Sequence, residues 1–450
     1  MPEPIDWLPD GAPFSPRFGD RYHSSANHGV DQARDAFLGG CGLPAAWAGQ
    51  AQWRILETGF GLGLNFLVTW AAWRADPARP RVLHFVSCEA WPVAAADLLR
   101  AAPQTPELLP LAQQLAAQFW GLLPGVHRLA FEGGQVLLTL YIGDAQTMLR
   151  QQQPVADTVY LDGFSPQCNP DMWSEGLLKA VARCCRRGTR LATWSVASAV
   201  RAGLAQCGFD VRKVPGVPPK RDNLQATFDP PWQPRGAADA PTPLFSAPSR
   251  CVVIGAGLAG AGAAASLARR GWQVQVLDQG AVPAAGASGL PAGVFGLHVS
   301  PDDAPQSRLS RAGLRLTRQT AQDLLAEGVD WAPTGVLEHC VDGKRGLPAA
   351  WSEEATHPGS EWSRYADAAQ LAAAGLPADA VGHWHTRGGW IRPARLIAAL
   401  LAQPGITWHG GAAVVRITRA HGGAWQLFDA QDTLLAEAPL VVIATGAGSI

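Results

Sequence analysis

The stretch VYLDGFSPQCNPDMW, residues 159–173, places a carboxylate at the end of an apolar run. Val159, Tyr160 and Leu161 are typical of a buried strand, which Asp162 ends before a segment rich in glycine and proline. An acid at this point has two interpretations. It forms a turn by bonding its own backbone, or it is a functional group at a binding site. The other strands of the chain decide between the two.

Three further acids close predicted strands in the same half of the chain. The first precedes a glycine loop, ETGFGLGLNF at 57–66. Glycines at this spacing let the chain turn sharply and bring backbone N–H groups against a ligand. Ligands bind at the carboxyl ends of the strands in an open parallel sheet, so the pattern predicts a binding site there. The acids are Glu57, Glu89, Asp144 and Asp162, and the glycines are Gly59, Gly61 and Gly63. Two alternatives stay open, in which Glu57 only orients the loop and Asp144 only caps the following helix.

A second glycine loop lies in CVVIGAGLAGAGAAASLARRGWQVQVLD, residues 251–278. It has the form Gly255-x-Gly257-x-x-Gly260 between a strand and a helix of small residues, and the next strand ends at Asp278. This is the complete strand–helix–strand context of a dinucleotide-binding loop, whose acid binds a ribose hydroxyl. The uncharged run Val252–Ala268 is at the short edge of membrane-spanning length, and its small side chains favour the nucleotide loop instead.

Strand-like runs alternate with helix-length segments in two separate series, which predicts an α/β fold with two parallel sheets. The first series occupies residues 53–195 and the second begins at 251. A proline-rich segment at 229–250 separates them and is expected to be a linker. We therefore predict domains at 1–235 and 250–450 that are joined by residues 236–249.

The composition limits what the whole chain can bind. The 450 residues are 47% hydrophobic and carry a formal net charge of −1, so any affinity for nucleic acid must come from a local patch. Eight cysteines without a C-x-x-C pair, and no secretory signal at the N-terminus, predict a cytoplasmic protein with reduced thiols. His383 and His385 are expected on a strand face with no third ligand nearby, so we predict no metal site. We also predict no membrane association, and a monomer.

The E-x-G-x-G-x-G form of the first loop resembles S-adenosylmethionine-dependent methyltransferases. The resemblance implies that the loop binds this cofactor, that Glu89 holds its ribose hydroxyls and that Asp144 lies near its adenine amine. The first domain is then a Rossmann-like methyltransferase domain. The implied cofactor-binding residues are Glu57, Gly59, Gly61, Gly63, Glu89 and Asp144.

The segment LDGFSPQCNPDMW is similar to the end of the fourth strand in nitrogen-directed methyltransferases. The resemblance implies that Asp162 is catalytic and orients a neutral amine, and that Phe164 and Trp173 stack on a base. Positioning of reactants contributes up to ~7–11 kcal/mol where the geometry is fully set. Because the unperturbed pKa of Asp is ~3.9, its carboxylate is a poor acceptor for a proton from an amine. We therefore expect Asp162 to act mainly by orienting the amine.

Three segments of the second series resemble flavin amine oxidoreductases of the glycine and D-amino acid oxidase type. They are GASGLPAGVFG at 286–296, HTRGGWIRPARL at 385–396 and LVVIATGAG at 440–448. The resemblance implies a FAD-binding α/β domain. The implied cofactor-binding residues are Gly255, Gly257, Gly260, Asp278 and Ser288.

Along nearly its whole length the chain resembles one family, the bifunctional tRNA 5-methylaminomethyl-2-thiouridine biosynthesis proteins. The resemblance rests on FGDRYHSSANHGVDQARDAFLGG at 18–40, LHFVSCEAWP at 83–92, GGWIRP at 388–393 and the two glycine loops and LDGF segment quoted above. It implies that the flavin domain oxidises the C–N bond of a carboxymethylaminomethyl group on the wobble uridine of tRNA. The methyltransferase domain then methylates the aminomethyl group that remains.

A basic segment at 181–225 supports tRNA as the partner. It holds nine basic residues against two acids, Asp210 and Asp222, an excess that is typical of phosphate contacts. The basic residues are Arg183, Arg186, Arg187, Arg190, Arg201, Arg212, Lys213, Lys220 and Arg221. The alternative is a solvated helix face. VPPKRDN at 217–223 matches a basic family segment near the methyl-acceptor site, which implies that Lys220 and Arg221 bind substrate.

The chain ends at Ile450, soon after the ATG turn, where oxidases of this type return to the flavin with a further segment. We therefore expect the flavin domain to be incomplete at its C-terminus. Two alternative functions stay open: a tRNA amine methyltransferase with a non-catalytic flavin domain, and a methyltransferase fused to an oxidase of small amines.

Overall fold

The computed structural model of the chain describes residues 2–23, 26–103, 105–216, 220–233, 247–341, 346–353 and 357–446. Its contacts divide the chain into two compact units, Met1–Pro241 with Thr356–Gly359, and Thr242–Ala355 with Ser360–Ile450. Most of the predicted linker 236–249 lies outside the described residues. The domain bounds 1–235 and 250–450 therefore stay predictions.

The first unit contains short N-terminal strands and a long central sheet. Its strands are β1 (Asp6–Trp7), β2 (Pro13–Ser15), β3 (Asp20–Arg21), β4 (Gln52–Glu57), β5 (Val82–Glu89), β6 (Gly125–Phe131), β7 (Val136–Ile142), β8 (Ala156–Tyr160), β9 (Cys185–Thr193), β10 (Phe209–Pro215) and β11 (Asp222–Phe228). Its α-helices are α1 (Ala26–Asp31), α2 (Leu64–Ala75), α3 (Ala95–Ala101), α4 (Leu109–Gln118), α5 (Ala145–Gln152), α6 (Glu175–Cys184) and α7 (Ser198–Gln206). Shorter helical turns are Gln32–Leu38 (π), and Gly39–Cys41, Ala45–Trp47, Glu132–Gly134 and Pro170–Trp173 (3₁₀).

The strands of the central sheet run in the order β10-β11-β9-β8-β4-β5-β7-β6 within the described part of the chain. The five inner strands, β9 to β7, are mutually parallel, and antiparallel strands flank them at both edges. The connection from β4 leads to β5 on one side, whereas β8 pairs with β4 on the other. Strand β4 is therefore the point where the strand order reverses, and the crevice at the carboxyl ends of β4, β5 and β8 is where such sheets bind ligands.

Apolar residues explain why this sheet is covered on both faces. Strand β7, VLLTLYI, is buried at every position, as expected for a strand between two helical layers. Phe66 and Trp70 of α2 belong to one core, while Leu149 of α5 and Leu177 of α6 belong to another. The predicted strand ends are close to those observed, except that β7 ends at Ile142 and β8 at Tyr160. Asp144 and Asp162 therefore each stand two residues beyond the strand that they were expected to close.

In its described residues, the second unit contains a small parallel sheet and three antiparallel ones. Its strands are β12 (Arg250–Ile254), β13 (Gln273–Leu277), β14 (Gly293–Phe295), β15 (Trp331–Ala332), β16 (Val336–His339), β17 (Ser363–Tyr365), β18 (Gly382–His385), β19 (Gly389–Ile391), β20 (Ile406–His409), β21 (Arg416–Arg419), β22 (Trp425–Phe428), β23 (Leu434–Ala438) and β24 (Leu440–Ile443). Its helices are α8 (Leu258–Arg269), α9 (Pro305–Leu324), α10 (Ala349–Glu353), α11 (Ala368–Ala373) and α12 (Pro393–Leu401). A 3₁₀ turn at Pro358–Glu361 begins in residues assigned to the first unit and ends in residues assigned to the second.

The parallel sheet of this unit has the order β20-β13-β12-β24. Helix α8 connects β12 to β13, so the predicted strand–helix–strand unit is present, and residues 252–268 are divided between a strand and a helix. In the described ranges, no helix combines the length and the apolar character that crossing a membrane requires.

Candidate functional site

A cavity of about 820 Å³ opens in the first unit at the carboxyl ends of β4, β5 and β8. Seven of the residues predicted from the sequence line it: Gly59, Gly61, Glu89, Asp144, Asp162, Phe164 and Lys220. Four other predicted residues, Glu57, Gly63, Trp173 and Arg221, are not among its described lining residues. The acids at the strand ends and the glycine loop therefore share one cavity.

The glycine loop after β4 packs against the backbone at Asp162. A Cβ on Gly59 would lie 3.1 Å from the carbonyl oxygen of Asp162, so a side chain there would push the two loops apart. The Thr58 hydroxyl lies 2.7 Å from that oxygen and 3.0 Å from the Asp162 amide nitrogen. These contacts tie the end of β4 to the segment after β8, so the loop and Asp162 form one assembly.

The carboxylate of Asp162 is held by three hydrogen bonds. Its Oδ1 accepts from the Gly163 amide at 2.9 Å and from the Trp194 indole at 3.0 Å, and its Oδ2 accepts from Asn65 Nδ2 at 2.8 Å. Burial raises the pKa of Asp162 from 3.8 to about 6, although these hydrogen bonds oppose the increase. Asp162 is thus an oriented carboxylate that is ionised at neutral pH and more basic than an exposed Asp.

Glu57 lies behind the cavity wall and supports Asn65. It is 1% exposed, and its two oxygens accept hydrogen bonds from Asn65 Nδ2 at 2.9 Å and from Ser87 Oγ at 2.6 Å. Burial, with a smaller contribution from the charge of Asp162, raises the pKa of Glu57 well above its usual range. The structure therefore favours the alternative in which Glu57 orients its surroundings, since its carboxyl group is buried and Glu57 is not among the described residues that line the cavity.

The other two strand-end acids bond backbone amides at the cavity edge. Glu89 accepts from the amides of Gly61 and Trp91, each at 2.8 Å, and burial raises its pKa. Asp144 is the N-cap of α5, where its Oδ1 accepts from the amide and the hydroxyl of Thr147. The capping alternative for Asp144 is present, and its side chain also lines the cavity.

An aromatic wall is formed by Phe164 together with Phe18, in the turn between β2 and β3, and Tyr22, directly after β3. Phe164 stacks on Phe18 with a ring-centroid separation of 4.8 Å, and Tyr22 meets its edge at 5.0 Å. Asp20 accepts a hydrogen bond from the Ser165 amide at 2.9 Å, which fixes the segment after β8 against the N-terminus. Trp173 is 8% exposed and donates its indole N–H to the Phe164 carbonyl at 2.7 Å, so it supports this wall from behind.

Lys220 and Trp194 stand beside Asp162. The Lys220 ammonium lies 4.4 Å from the centre of the Trp194 ring, whose indole N–H bonds Asp162. Arg221 is exposed, and its carbonyl accepts a hydrogen bond from the Gly216 amide at 2.8 Å. Lys220 is therefore the member of the predicted basic pair that reaches the cavity.

Ion pairs reduce the apparent charge of the basic segment. Arg186 and Arg187 pair with Asp157 and Asp229, which lie outside the segment. Arg212 and Lys213 pair with Asp210 and Asp222 inside it. In the described part of the chain, five exposed members form no ion pair: Arg183, Arg190, Arg201, Lys220 and Arg221. Of these, Arg190 donates a hydrogen bond from its guanidinium to the Cys41 carbonyl at 3.2 Å. The positive surface is smaller than the sequence count indicates.

In the second unit, the glycine loop makes a tight turn between β12 and α8. Gly255 has φ +107°, and a Cβ there would lie 2.4 Å from the carbonyl oxygen of Ala444. A Cβ on Gly260 would lie 1.8 Å from the carbonyl oxygen of Gly255. The loop therefore leads directly into the N-terminus of α8, whose backbone N–H groups attract anions.

Asp278 and Ser288 complete the surroundings of this loop. Asp278 follows β13, and its carboxylate accepts from the amides of Ala256 at 2.6 Å and Gly280 at 2.7 Å. Ser288 Oγ accepts from the Leu258 amide at 3.2 Å and would lie 3.3 Å from a Cβ on Gly257. All five residues predicted for this loop lie together at the carboxyl ends of β12 and β13 and the start of α8.

His385 lies on β18 within hydrogen-bond distance of protein groups on both ring nitrogens. Nδ1 is 2.7 Å from Ser363 Oγ, and Nε2 is 3.2 Å from Glu338 Oε2. His383 and His385 are each 1% exposed. Among the described residues, no group of three or more His, Cys, Asp or Glu side chains is arranged to hold a metal ion.

The sequence interpretation missed several residues that build the cavity. Asn65 and Trp194 hold Asp162, and Phe18, Asp20 and Tyr22 hold the segment that follows it. Asn65 lies in the loop motif at 57–66, and Phe18, Asp20 and Tyr22 lie in the segment at 18–40, but no spacing rule singles out these residues. Trp194 directly follows β9, and it lies near Asp162 because β9 pairs with β8.

Comparisons with known proteins match each half of the chain separately and the chain as a whole. A family described as S-adenosyl-L-methionine-dependent methyltransferase matches residues 106–229, and one described as FAD dependent oxidoreductase matches residues 250–450. A relative from Paracidovorax citrulli (strain AAC00-1) is 69% identical, and the match covers 100% of this chain and 71% of the relative. One from Acidovorax sp. (strain JS42) is 66% identical over 99% of this chain and 70% of the relative. Both are named tRNA 5-methylaminomethyl-2-thiouridine biosynthesis bifunctional protein MnmC.

Two solved structures align with parts of the chain at low similarity. The crystal structure of MNMC2 from Aquifex aeolicus aligns with a TM-score of 0.41 and 22% identity, over 51% of this chain and 72% of that one. The crystal structure of glycine oxidase from Geobacillus kaustophilus aligns with a TM-score of 0.33 and 20% identity, over 43% of this chain and 55% of that one.

Proposed function

This chain belongs to the family of tRNA 5-methylaminomethyl-2-thiouridine biosynthesis bifunctional proteins, MnmC, and from that membership we propose that it performs two successive modifications of the wobble uridine of tRNA. The family matches confirm the predicted methyltransferase and FAD-dependent oxidoreductase halves, and with them both cofactors. The flavin half oxidises the bond between the nitrogen and the carboxymethyl carbon of carboxymethylaminomethyl-(2-thio)uridine by two electrons, which gives an imine. Water hydrolyses this imine, releases the carboxymethyl group as glyoxylate and leaves aminomethyl-(2-thio)uridine. The methyltransferase half then converts that amine to methylaminomethyl-(2-thio)uridine.

The observation that carries the methyl-transfer step is the carboxylate of Asp162 in the cavity. Bound S-adenosylmethionine supplies the methyl group. Asp162 accepts an N–H of the substrate amine, and because three hydrogen bonds fix the carboxylate, it sets the direction of the nitrogen lone pair. With a pKa of about 6, Asp162 is much less basic than an alkylamine, whose pKa resembles the ~10.4 of Lys. Orientation is thus its main role, and the proton that the amine loses passes to solvent.

The cavity residues fit a nucleoside cofactor. Gly59 and Gly61 leave the loop backbone uncovered by Cβ atoms, and Glu89 and Asp144 offer carboxylate oxygens at the strand ends that follow. We assign Glu89 to ribose hydroxyls and Asp144 to the adenine amine. Glu57 acts on this site from behind, through Asn65.

The residues of the second glycine loop fit FAD. The tight turn at Gly255, Gly257 and Gly260 leads into the N-terminus of α8, which suits a pyrophosphate. Asp278 at the end of β13 suits a ribose hydroxyl, and the Ser288 hydroxyl lies at the first turn of α8. These residues would hold the nucleotide part of FAD, which would supply the two-electron oxidant for the C–N bond.

For tRNA, we assign phosphate contacts to Lys220, Arg221, Arg183 and Arg201. They are exposed and form no ion pair with any residue in the described ranges, so their charge is available. Phe164 offers an aromatic face at the cavity. The monomeric state and the cytoplasmic location stay predictions from the sequence.

The test uses the full chain and tRNA that carries carboxymethylaminomethyl-2-thiouridine, followed by mass spectrometry of the nucleosides. With FAD alone we expect the aminomethyl nucleoside, and with S-adenosylmethionine added we expect the methylaminomethyl nucleoside. Asp162→Asn should stop the reaction at the aminomethyl stage. Asp97→Asn, the same change on α3 away from the cavity, is the control and should give the final product. Unchanged tRNA with the wild-type protein would refute the proposed function, and normal methylation by Asp162→Asn would refute the role of that residue.

A further inference from the structure

One amide nitrogen connects the two carboxyl groups at the centre of the first unit. Asn65, the second residue of α2, donates from Nδ2 to Glu57 Oε1 at 2.9 Å and to Asp162 Oδ2 at 2.8 Å. An amide nitrogen has two N–H groups, so these bonds use both. Asn65 is 8% exposed and Glu57 1%, so the connection lies inside the protein.

We propose that Asn65 is a positioning residue for methyl transfer, which holds Asp162 Oδ2 in the orientation that receives the substrate amine. The proposal rests on the proposed function, because it concerns the same cavity. A chain of bonds runs from Ser87 through Glu57 and Asn65 to Asp162, and thus from β5 through β4 and α2 to the segment after β8. Oδ1 of Asp162 already accepts two hydrogen bonds, whereas Oδ2 accepts one, from Asn65. Oδ2 therefore has capacity for the amine, and Asn65 determines where it points.

The choice of an amide at this position has an electrostatic reason. Two carboxyl groups this close repel when both are ionised, and an N–H donor between them stabilises the negative charge without adding a net charge. A cationic side chain at this position would also bond both acids. It would, however, form a salt bridge with Asp162 and compete with the substrate amine for that carboxylate. The titratable and charged groups that line the cavity with Asp162, or that bond its partner Asn65, are Glu57, Glu89, Asp20, Arg21, Tyr22, His23, Cys88, Asp144, Asp171 and Lys220. All of them are retained when Asn65 alone is changed.

The first measurement is the titration of Asp162 itself, which does not depend on catalysis. Full-length protein labelled with ¹³C at the aspartate carboxyl carbons is titrated by NMR, and the Asp162 signal is identified by its loss in Asp162→Asn. Asn65→Leu removes both N–H groups at similar volume. We expect the proton-binding constant of Asp162 to rise roughly tenfold or more, as for loss of a hydrogen bond to a charged group.

Thr69→Val is the matched control. Thr69 lies one turn further along the same face of α2, is 1% exposed, and bonds the Tyr160 hydroxyl at 3.2 Å. The change removes an equally buried hydrogen bond between α2 and the sheet, yet leaves Asp162 and its partners intact. We expect the Asp162 titration to match that of the wild type, whereas both variants melt at a lower temperature.

The second measurement is methyl transfer to tRNA that carries the aminomethyl nucleoside. For Asn65→Leu we expect kcat to fall by roughly ten- to a hundredfold with little change in the KM for S-adenosylmethionine, and for Thr69→Val we expect a change of less than about threefold. If Asn65→Leu leaves the Asp162 titration and kcat at the wild-type values, or if Thr69→Val changes both equally, the proposal is wrong. If the wild-type protein transfers no methyl group, the proposed function fails, and the NMR titration still decides whether Asn65 controls Asp162.

Discussion

Gly255→Ala should release FAD and destabilise the second unit. The residue has φ +107°, and holding an L-residue in so unusual a conformation costs about 1–3 kcal/mol. The new Cβ would also lie 2.4 Å from the Ala444 carbonyl oxygen, and overpacking of this kind costs about 1–3 kcal/mol. The carbonyl has little freedom to move, because the Ala444 amide bonds the Ile254 carbonyl at 2.8 Å and β24 pairs with β12. Together the two effects give about 2–6 kcal/mol, a large part of the ~5–15 kcal/mol that stabilises a typical domain.

The assay compares flavin absorbance per chain after gel filtration, together with the melting temperature. Gly262→Ala is the control, because Gly262 lies within α8 and a Cβ there meets no atom within 4 Å. This control should retain FAD and gain up to about 1 kcal/mol, the helix preference of Ala over Gly. We expect Gly255→Ala to lose flavin and the oxidative step while methyl transfer to aminomethyl tRNA continues, since the methyltransferase cavity belongs to the first unit. Wild-type flavin content and melting temperature in Gly255→Ala would refute this reasoning.

Two further predictions concern Asp162 and Lys220. Because burial raises the pKa of Asp162 to about 6, kcat/KM for methyl transfer should fall as the pH decreases through 6, whereas an exposed Asp would stay ionised to about 4. The same raised pKa means that Asp162 binds a proton more readily in the folded state than in the unfolded state. Its contribution to the free energy of unfolding therefore grows as the pH falls from 6 towards 3.8. Denaturation of the wild type and of Asp162→Asn at several pH values measures this contribution. Lys220→Ala should raise the KM for tRNA and reduce the slope of log KM against log salt by about 1, while Lys213→Ala, whose ammonium is paired with Asp222, should change the slope less. Equal slopes for wild type and Lys220→Ala would show that Lys220 does not contact phosphate.

The position of the cavity could be predicted from the sequence because it follows from strand order and strand ends. Glu89 and Asp162 each stand at the carboxyl end of a parallel strand, and such ends meet at one edge of a sheet. The glycine spacings also predicted both turns into α2 and α8. These are local patterns, and the parallel fold brings them together without further information.

The contacts that hold Asp162 could not be predicted in this way. The side chains of Asn65 and Trp194 reach it from positions 97 and 32 residues away, and no spacing rule connects them. The count of basic residues at 181–225 overestimated the free positive charge for a similar reason. Asp157 and Asp229 lie outside this segment, and they pair with Arg186 and Arg187 inside it. Trp173 has the aromatic character expected of a base-stacking residue. Its indole N–H, however, donates a hydrogen bond to the Phe164 carbonyl, and its ring is buried.

The aromatic wall shows that the methyltransferase half includes residues that lie N-terminal to its family match. That match begins at residue 106, whereas Phe18 and Asp20 of the N-terminal segment contact Phe164 and Ser165 across more than 140 positions of the chain. A shortened protein that starts after residue 22 would keep the whole parallel sheet and every strand-end acid. It would nevertheless lose the ring of Phe18 that stacks on Phe164 and the carboxylate of Asp20 that bonds the Ser165 amide, so this side of the cavity would open to water. Phe18, Asp20 and Tyr22 thus form part of the cavity wall, although they lie far outside the family match.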